Sequence, residues 1–575
     1  MSSELRPENG SNASQVSAPA QNDAMATMAT GQGGGETPAA SSTVSSSGSK
    51  AGMGRGFLGS TGGILLSRVS GLLRDIFAAA FWGATGVAQA AYNTAFAVPN
   101  SLRMILGEGA ISSAFVPALA GYLEEDRKQE AWTLACRAIT LQFLVLLIPT
   151  VLLGALAAVF GWSHWIQDDA TRVTMRLLPV LMPFSLLICA AAAFAAILNS
   201  LNVFFQATAA QAVFNMTMVV SLILLGLGWT NQDETALWLY CGATLLGGFL
   251  QLATLVLSCR KYGFRYRWDL NVKDGEVRAL CRRIVPVLVG NGLAQLNGLV
   301  DKGLGLWLGA AAVGALNYSH RLVYLPVGLF GVAMGQVALP ALARAQVKGD
   351  AQGIREGLDF ALRTVLFLAI PCTAFLMVCG QETITLLFAR GAFGDEAIRE
   401  TTFALLFYLA GLPAFCCVKV ATNPFHARKD TVTPMRISML LLLANLILNL
   451  ILMQFLRQGG LALATSLCSW ANVVTLLLLN RKYLPQWTFG PFLKSLGGFL
   501  LASAGASAAS WGLLLGLQRL SLLEPLPRTA ATAVVVLLAL ALFGIVYLAL
   551  CALLGRPEPR EFLQAVQRIG KRFHR

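Results

Sequence analysis

Long apolar stretches separated by short polar connections run along the chain from about residue 56 to residue 555. Each stretch supplies the roughly twenty apolar residues that a helix needs to cross the hydrocarbon core of a bilayer. The pattern therefore predicts an all-α polytopic membrane protein. We expect about 14 transmembrane helices, at residues 58–82, 88–121, 133–161, 174–199, 208–229, 235–259, 284–309, 311–343, 358–380, 400–425, 433–455, 460–480, 492–517 and 528–555.

The predicted helices divide into two groups at a long basic connection between the sixth and the seventh. Phe115–Ala120 and Ala338–Ala343 have similar sequences and end the second and eighth helices, as expected of parallel repeats. We therefore predict two pseudo-symmetric lobes of six helices followed by two further helices. The predicted segments are a disordered tail at 1–55, an N-terminal lobe at 56–259, a connector at 260–283, a C-terminal lobe at 284–482, two C-terminal helices at 483–555 and a basic tail at 556–575.

Charge is distributed unevenly between the two sides of the predicted bundle. If the N-terminus is cytoplasmic, the loops and C-terminal tail on that side hold 23 Lys and Arg residues, against 6 in the opposite loops. Basic loops stay in the cytoplasm, so both termini are predicted to lie there, with the chain in the cell (inner) membrane. This topology accounts for the net charge of +14. No basic-aromatic module typical of nucleic-acid binding occurs, so no nucleic-acid partner is expected, and we expect a monomer.

Arginines lie inside the predicted helices, where a charge is costly and usually functional. Arg68 lies about 15 Å into the first helix and Arg321 about 15 Å from the outer end of the eighth, which predicts one common depth. Neither has an acid near it in sequence. Together with Arg74 and Arg103 they would form a cationic cavity, and guanidinium groups bind a diphosphate through paired hydrogen bonds. An anionic headgroup is the predicted substrate feature.

The second predicted helix contains residues that disturb a regular helix. Pro99 should break the hydrogen-bond ladder beside Asn100, and Gly107 and Gly109 loosen the backbone around Glu108. Broken helices at mid-membrane depth mark transport sites, so we predict a gate or hinge here.

Acids close to two of these arginines leave an alternative open. Asp75 follows Arg74 directly, and Glu108 comes five residues after Arg103. These pairs could be structural ion pairs rather than parts of a binding site or gate.

A second polar group falls in the C-terminal half of the chain. Asp301 lies in the seventh helix, Asn445 and Asn449 lie one turn apart in the eleventh, and Thr465 lies in the twelfth. Carboxylate, amide and hydroxyl oxygens suit a hard cation, so a sodium ion is a possible ligand. The alternative is a neutral Asp301–Lys302 pair or a hydrogen-bond network that packs helices.

Enzyme motifs are absent from the sequence. There is no phosphate-binding GxxxxGK[ST], no nucleophile elbow and no HExxH, and the four histidines are far apart. A membrane glycosyltransferase would be expected to carry acids in long outer loops, whereas the outer loops here are short. The sequence therefore predicts a transporter rather than an enzyme, with no cofactor other than the possible sodium ion.

Short motifs lie in both halves of the predicted bundle. They are Ser67-Arg68-Val69, Gly71 and Arg74-Asp75; Pro99-Asn100, Leu102-Arg103, Glu108-Gly109-Ala110 and Ala114-Phe115-Val116-Pro117; Tyr318, Arg321-Leu322, Pro326, Gly328 and Gly331-Val332-Ala333; and Thr433-Pro434. Together these motifs resemble those of the MurJ/MviN-type lipid II flippases, and the resemblance covers about residues 57–555.

The resemblance implies a two-lobed transporter of the multidrug/oligosaccharidyl-lipid/polysaccharide exporter superfamily. Its substrate would be lipid II, the undecaprenyl-diphosphate-linked peptidoglycan precursor, flipped to the outer leaflet by alternating access. Matching positions imply that the four arginines and Glu108 line the cavity, that the Asp301 group is the sodium site, and that the last two helices hold the lipid tail. The alternatives are a flippase for another undecaprenyl-diphosphate-linked oligosaccharide and a drug exporter on the same scaffold; a membrane glycosyltransferase is a weaker one.

Overall fold

The computed structural model of the protein describes residues 66–559, except for 110–114, 117, 120, 124, 202, 230–233, 272–274, 429, 484–488 and 520–526. The predicted N-terminal tail and nearly all of the basic C-terminal tail lie outside the described residues. Across the described part the chain is almost entirely helical and contains no β-strand, as the apolar pattern predicted.

Most of the apolar segments form helices long enough to span a bilayer without interruption. Short connections join these helices. They are α1 66–82, α2 Val87–Leu102, α3 Lys128–Trp162, α4 Asp169–Leu181, α5 Pro183–Ser200, α6 Phe204–Leu224, α7 Glu234–Lys261, α8 Gly275–Leu308, α9 Ala310–Pro326, α10 Ala333–Val347, α11 Ala351–Phe388, α12 Asp395–Leu409, α13 Leu412–Ala421, α14 Asn423–Ala427, α15 Val432–Leu456, α16 Gln458–Tyr483, α17 Phe489–Arg519 and α18 Arg528–Leu553.

A polytopic membrane architecture is confirmed. Within the described residues, 10 helices are long and apolar enough to cross a membrane, or 11 if the pair Asp395–Leu409 and Leu412–Ala427, bent by 41°, is one span. α1, α2 and α8 occupy the three other predicted positions. The total of about fourteen spans stays a prediction.

The connection between the predicted lobes is shorter than expected. α7 ends at Lys261 and α8 begins at Gly275, inside the predicted connector. The apolar pattern placed the start of this helix too late, because its first two turns carry charged side chains that a hydropathy argument assigns to a loop.

Buried apolar side chains collect into two large cores. One contains residues from Ala78 to Phe264. The other contains residues from Ala315 to Cys551, together with Ala79 and Ala84 from the end of α1 and the turn after it. Consecutive residues of α1 thus belong to different cores, so the end of this helix lies between them. The predicted lobe boundaries themselves stay predictions.

The two halves of the chain meet closely where α1 ends, at a contact that we call the seam. The Ala392 N–H donates to the Ala80 carbonyl at 2.8 Å. A Cβ atom on Gly314 would clash with the Ala84 carbonyl oxygen, so only glycine allows this approach. In the predicted orientation the seam closes the outer end of the bundle.

Pro99 does not break its helix, contrary to the sequence-based prediction. α2 continues through Pro99, and the backbone then widens into π-helical turns at Arg103–Gly109. Pro326 is the last α-helical residue of α9 and is also followed by π-helical turns, at Val327–Val332, which continue into α10. Proline lacks an N–H and its ring crowds the preceding turn, and a π-helical widening absorbs this misfit without ending the helix.

Candidate functional site

Two of the four predicted arginines share a cavity. Arg68 of α1 and Arg103 after α2 line a space of about 450 Å³ within the N-terminal half. Small side chains form much of the remaining wall, which leaves room for a ligand, and amide side chains supply polar groups. Its other lining residues include Gly107, Ala191, Ala192, Asn199, Gln211 and Gln251.

The turn that carries Arg68 is fixed by a neighbouring helix. The Asn215 side chain donates to the Ser67 carbonyl oxygen at 3.2 Å and to the Ser70 hydroxyl at 3.1 Å. The Arg68 guanidinium lies against the backbone of Gly328, where a Cβ atom would be 3.0 Å from Nη1. Arg68 itself has no ion-pair partner among the described residues. Its charge is therefore available to a ligand that enters the cavity.

Arg103 is held by the residue that the sequence assigned to the hinge. Its Nε donates to Asn100 Oδ1 at 3.0 Å, from the first residue of the π-helical segment. Glu108 and Gly109 belong to the same segment, and the Glu108 side chain lies outside the described part of the structure. A Cβ atom on Gly107 would only just touch Ala192, at 3.4 Å. The widened backbone thus presents Arg103 to the cavity.

Arg74 and Arg321 do not line this cavity; both pair with Asp75. Arg74 Nη2 lies 3.1 Å from Asp75 Oδ1, and Arg321 reaches Asp75 Oδ2 from α9. Arg74 also lies over the Phe214 ring, 5.9 Å from its centroid. Asp75 therefore bridges the two halves of the chain. The ion pair between Arg74 and Asp75, which the sequence left as an alternative, is present.

The prediction of one depth for Arg68 and Arg321 is wrong. Arg321 faces Asp75, whereas Arg68 faces Gly328, seven residues further along the chain. The two guanidinium groups are therefore offset by about 10 Å along the bundle. Depth was counted from helix ends, but the register between the antiparallel α1 and α9 decides which residues meet.

The second predicted group does come together in space. Asn449 Nδ2 donates to Asp301 Oδ1 at 2.7 Å and lies 2.9 Å from Asn445 Oδ1. The Thr465 hydroxyl donates to Asp301 Oδ2 at 3.3 Å and accepts from Asn445 Nδ2 at 3.4 Å. We call these four residues the Asp301 cluster. Three helices build it: α8, and the consecutive helices α15 and α16 much later in the chain.

The side-chain oxygen atoms of the Asp301 cluster are suitable ligands for a small hard cation. Asn445 and Asn449 are buried, and Asn449 Oδ1 is a buried oxygen with no hydrogen bond within the described structure. Rotating that amide would direct its oxygen towards Asp301, giving carboxylate, amide and hydroxyl oxygens around one point. Of the two alternatives, the hydrogen-bond network that packs helices is present, whereas no ion pair joins Lys302 to Asp301 in the described residues.

Sequence reasoning missed the amide side chains of the cavity. Gln251 Nε2 donates to Gln211 Oε1 at 3.3 Å, and both residues line the cavity beside the arginines. Asn199 and Asn215, which lie close to the same site, were not singled out either. The sequence did contain a signal for these residues, because burying an amide in an apolar helix costs free energy unless the amide has a hydrogen-bond partner. Only the packing of α6 against α7 shows which partners they have.

Comparisons with known proteins agree on one family. The family described as "Lipid II flippase MurJ" matches residues 78–527. The "Probable lipid II flippase MurJ" of Vibrio cholerae is 32% identical over 423 residues, which cover 72% of this chain and 80% of that protein.

Solved structures share the fold. The structure "Lipid II flippase MurJ, inward closed conformation" aligns with a TM-score of 0.69 at 23% identity, over 86% of this chain and 98% of that chain. An inward-facing multidrug resistance MATE family transporter of the MOP superfamily aligns with a TM-score of 0.58 at 15% identity, over 73% and 94%. Since the family match spans most of the chain, this protein belongs to the lipid II flippase MurJ family.

Proposed function

We propose that this protein translocates lipid II from the inner to the outer leaflet of the cytoplasmic membrane, acting as a transporter and not as an enzyme. The observation that carries the proposal is the cavity with Arg68 and Arg103, whose walls are small side chains and amides. Two guanidinium groups at one site suit a diphosphate. A drug exporter for organic cations would instead need an anionic or aromatic cavity.

Asp75 supports a mechanism of alternating access. Its carboxylate pairs with Arg74 on the same helix and with Arg321 across the two halves. A diphosphate that reaches either arginine competes with Asp75 for it. Releasing Arg321 would remove one contact that holds the halves together, while the seam must also open before a headgroup can leave at that end. Substrate entry and lobe movement are then coupled through one carboxylate.

The topology proposed with this function places both termini in the cytoplasm and the seam at the outer face. A monomer suffices, because the cavity and the bridge are built by one chain. The other partners are membrane lipids, and no nucleic acid is required.

Reconstituted protein tests the substrate. Liposomes carrying fluorescent lipid II in the inner leaflet should expose it outside only when they contain the protein, as read by a membrane-impermeant quencher. A matched lipid-linked oligosaccharide with another glycan, and a fluorescent organic cation, serve as comparison substrates. Equal transport of the other glycan would contradict specificity for lipid II, and export of the cation alone would replace the proposal with a drug exporter.

We also propose that the Asp301 cluster binds a sodium ion, which would supply a positive charge beside a buried carboxylate. Asp301 and Thr465 would contribute oxygens directly, and Asn445 and Asn449 would turn their amide oxygens inward. Burial makes a lone carboxylate costly, so a cation bound there stabilises the arrangement that completes the shell. An ion shifts conformers only by its differential affinity for them.

Ion dependence can be measured in the same liposomes. Transport is compared in sodium, potassium and choline salts, in the native chain and in Asp301→Asn. We expect stimulation by sodium alone, lost in the variant. The control is Asp359→Asn, which removes an acid paired with Arg363 within α11 and should keep the stimulation. Equal rates in all three salts would rule out the sodium site.

A further inference from the structure

A groove on the outside of the N-terminal half takes no part in the proposed transport. It has a volume of about 850 Å³ and lies between α3, α5, α7 and the connection that follows α7. α5 separates it from the arginine cavity: Leu187 and Ala190 face the groove, while Ala191 and Ala192 face the cavity. The groove therefore lies directly behind one wall of the proposed transport site.

The connection after α7 is packed against α3 instead of extending away from it. Gly263 has φ +88°, a conformation that favours glycine, and reverses the chain after the helix. Phe264 is then fully buried, with its ring centroid 5.3 Å from that of Trp132 and 5.8 Å from that of Phe194. This aromatic contact anchors the start of residues 264–269, which we call the strap.

Polar contacts hold the rest of the strap along α3. The Arg267 N–H donates to Cys136 Sγ at 3.3 Å, and the Tyr266 and Thr140 hydroxyls lie 2.9 Å apart. Asp269 Oδ2 accepts from Arg137 Nε at 2.7 Å. This ion pair balances the charge of Asp269, the acid of the strap.

Three arginines of the groove are left with uncompensated charge. Arg260 at the end of α7, and Arg265 and Arg267 of the strap, line the groove and are exposed. Within the described part of the chain none of them forms an ion pair. Such a cluster at the end of transmembrane helices attracts an anion.

Below the arginines the groove is apolar. Leu186, Leu252 and Val256 form part of its floor. From Leu252 to Arg260 is a distance of about 12 Å along α7, enough for the upper part of an acyl chain. Trp268 is 60% exposed beside the arginines and touches Phe143 edge-on, with 6.2 Å between centroids. Tryptophan at such a boundary is typical of the level of lipid headgroups.

We propose that this groove binds an anionic phospholipid of the leaflet that the strap faces. The phosphate lies among Arg260, Arg265 and Arg267, one acyl chain fills the apolar floor, and Trp268 packs at the level of the glycerol. The charge selects an anionic over a zwitterionic headgroup. Because the groove opens outward and is walled off from the cavity by α5, a phospholipid of the surrounding bilayer suits it better than the transported substrate.

Lipid binding can be read by quenching of Trp268, independently of transport. The full chain is placed in phosphatidylcholine nanodiscs, and either phosphatidylglycerol or phosphatidylcholine with brominated acyl chains is added. The Trp268 signal is defined as the difference between the native chain and Trp268→Phe. We expect brominated phosphatidylglycerol to quench this signal at a concentration at least about tenfold lower than brominated phosphatidylcholine.

Two variants separate the headgroup site from the acyl groove. The triple variant Arg260→Gln, Arg265→Gln and Arg267→Gln should lose the preference for phosphatidylglycerol. Ala190→Phe narrows the groove while keeping the arginines and adding no tryptophan, and should weaken quenching by both lipids. The charge-matched control is Arg344→Gln, Lys348→Gln and Arg355→Gln, which removes three basic residues of the other half and should preserve the preference.

The outcomes distinguish the sources of the anion. Equal quenching by the two lipids, or a preference retained in the strap variant, overturns the proposal. A competition experiment gives a further test, in which undecaprenyl diphosphate is added in an amount equal to that of brominated phosphatidylglycerol. If it abolishes the quenching, the proposal is also overturned, because the groove would then be a substrate site. A failure of lipid II transport would leave this binding result unchanged.

Discussion

The two halves of the molecule place charge inside the membrane in different ways. In the N-terminal half, Arg68 and Arg103 line an open cavity whose other walls are small side chains and amides. In the C-terminal half, Asp301 is enclosed by hydrogen bonds from Asn449 and Thr465. The first arrangement can exchange a large anion without repacking. The second is compact enough only for a small ion, and any change there alters the packing of three helices.

The difference teaches that a buried charge is tolerated for two separate reasons. An arginine keeps its charge even when poorly solvated, and a cavity lets a ligand or water complete its interactions. A buried carboxylate instead needs fixed donors or a cation. We therefore expect substitutions in the cavity to affect transport far more than stability, and substitutions in the Asp301 cluster to affect both.

The largest effect is expected at Arg68. Arg68→Ala should reduce lipid II translocation on the order of a hundredfold, because it removes paired hydrogen bonds to the diphosphate. Arg68→Lys keeps the charge without the paired donors and should retain partial activity. Initial transport rates in liposomes measure this, with Arg344→Ala as an exposed control. An Arg68→Ala chain that transports normally would contradict the cationic cavity.

The bridge between the halves comes next. Arg321→Ala leaves Asp75 paired only with Arg74 and should weaken the closed state by about 1–3 kcal/mol. The readout is labelling of Ala84→Cys, a buried position at the seam, by a membrane-impermeant thiol reagent, which should become several-fold faster. Arg363→Ala breaks a pair within α11 and serves as the control. If both variants label at the native rate, the bridge does not hold the seam closed.

A smaller effect is expected on the free energy of unfolding, in which the polar sites of the two halves should differ. Asn449→Ala should cost about 1–3 kcal/mol, because it leaves a buried carboxylate oxygen of Asp301 without its donor. Arg68→Ala should change thermal unfolding in detergent little, since its cavity already admits solvent. Equal losses of stability in the two variants would remove the contrast between an open and a closed polar site.

The smallest effect is expected at Asp430, an acid outside the predicted spans. Its contribution to the free energy of unfolding should be smaller than that of the buried polar groups. Hydrogen bonds from Thr433 lower the pKa of Asp430, and its Oδ1 accepts from the Thr433 N–H at 3.0 Å at the start of α15. Asp430→Ala should cost about 1 kcal/mol at neutral pH.

Because the folded-state pKa of Asp430 is lowered, its contribution is present above the ordinary pKa of aspartate and is lost as the pH falls through the lowered value. The difference between the native chain and Asp430→Ala should therefore vanish once the pH falls below the lowered pKa. Thermal unfolding across this range measures it, and a difference that persists at low pH would contradict the charge-assisted cap.

Several features followed from sequence because they depend on local composition. Apolar length located the helices to within a few residues at most ends, and proline with glycine marked the stretch that becomes π-helical around Arg103. The Asp301 cluster was predicted because three polar helices each offered an oxygen at membrane depth. The start of α8 was missed, since charged first turns look like a loop to a hydropathy argument.

Tertiary structure alone decided which charges meet. The sequence by itself determined that the protein is a polytopic helical membrane protein with buried arginines and one buried acid cluster, because span length and the cost of charge act locally. It could not show that Arg321 pairs with Asp75 while Arg68 shares a cavity with Arg103. The pairing of Arg321 depends on the register between antiparallel α1 and α9, which Gly314 sets at the seam by allowing the backbones to touch. The shared cavity depends on how α1 packs beside the segment that follows α2. A shift of one helical turn would change every partner without altering a single local preference.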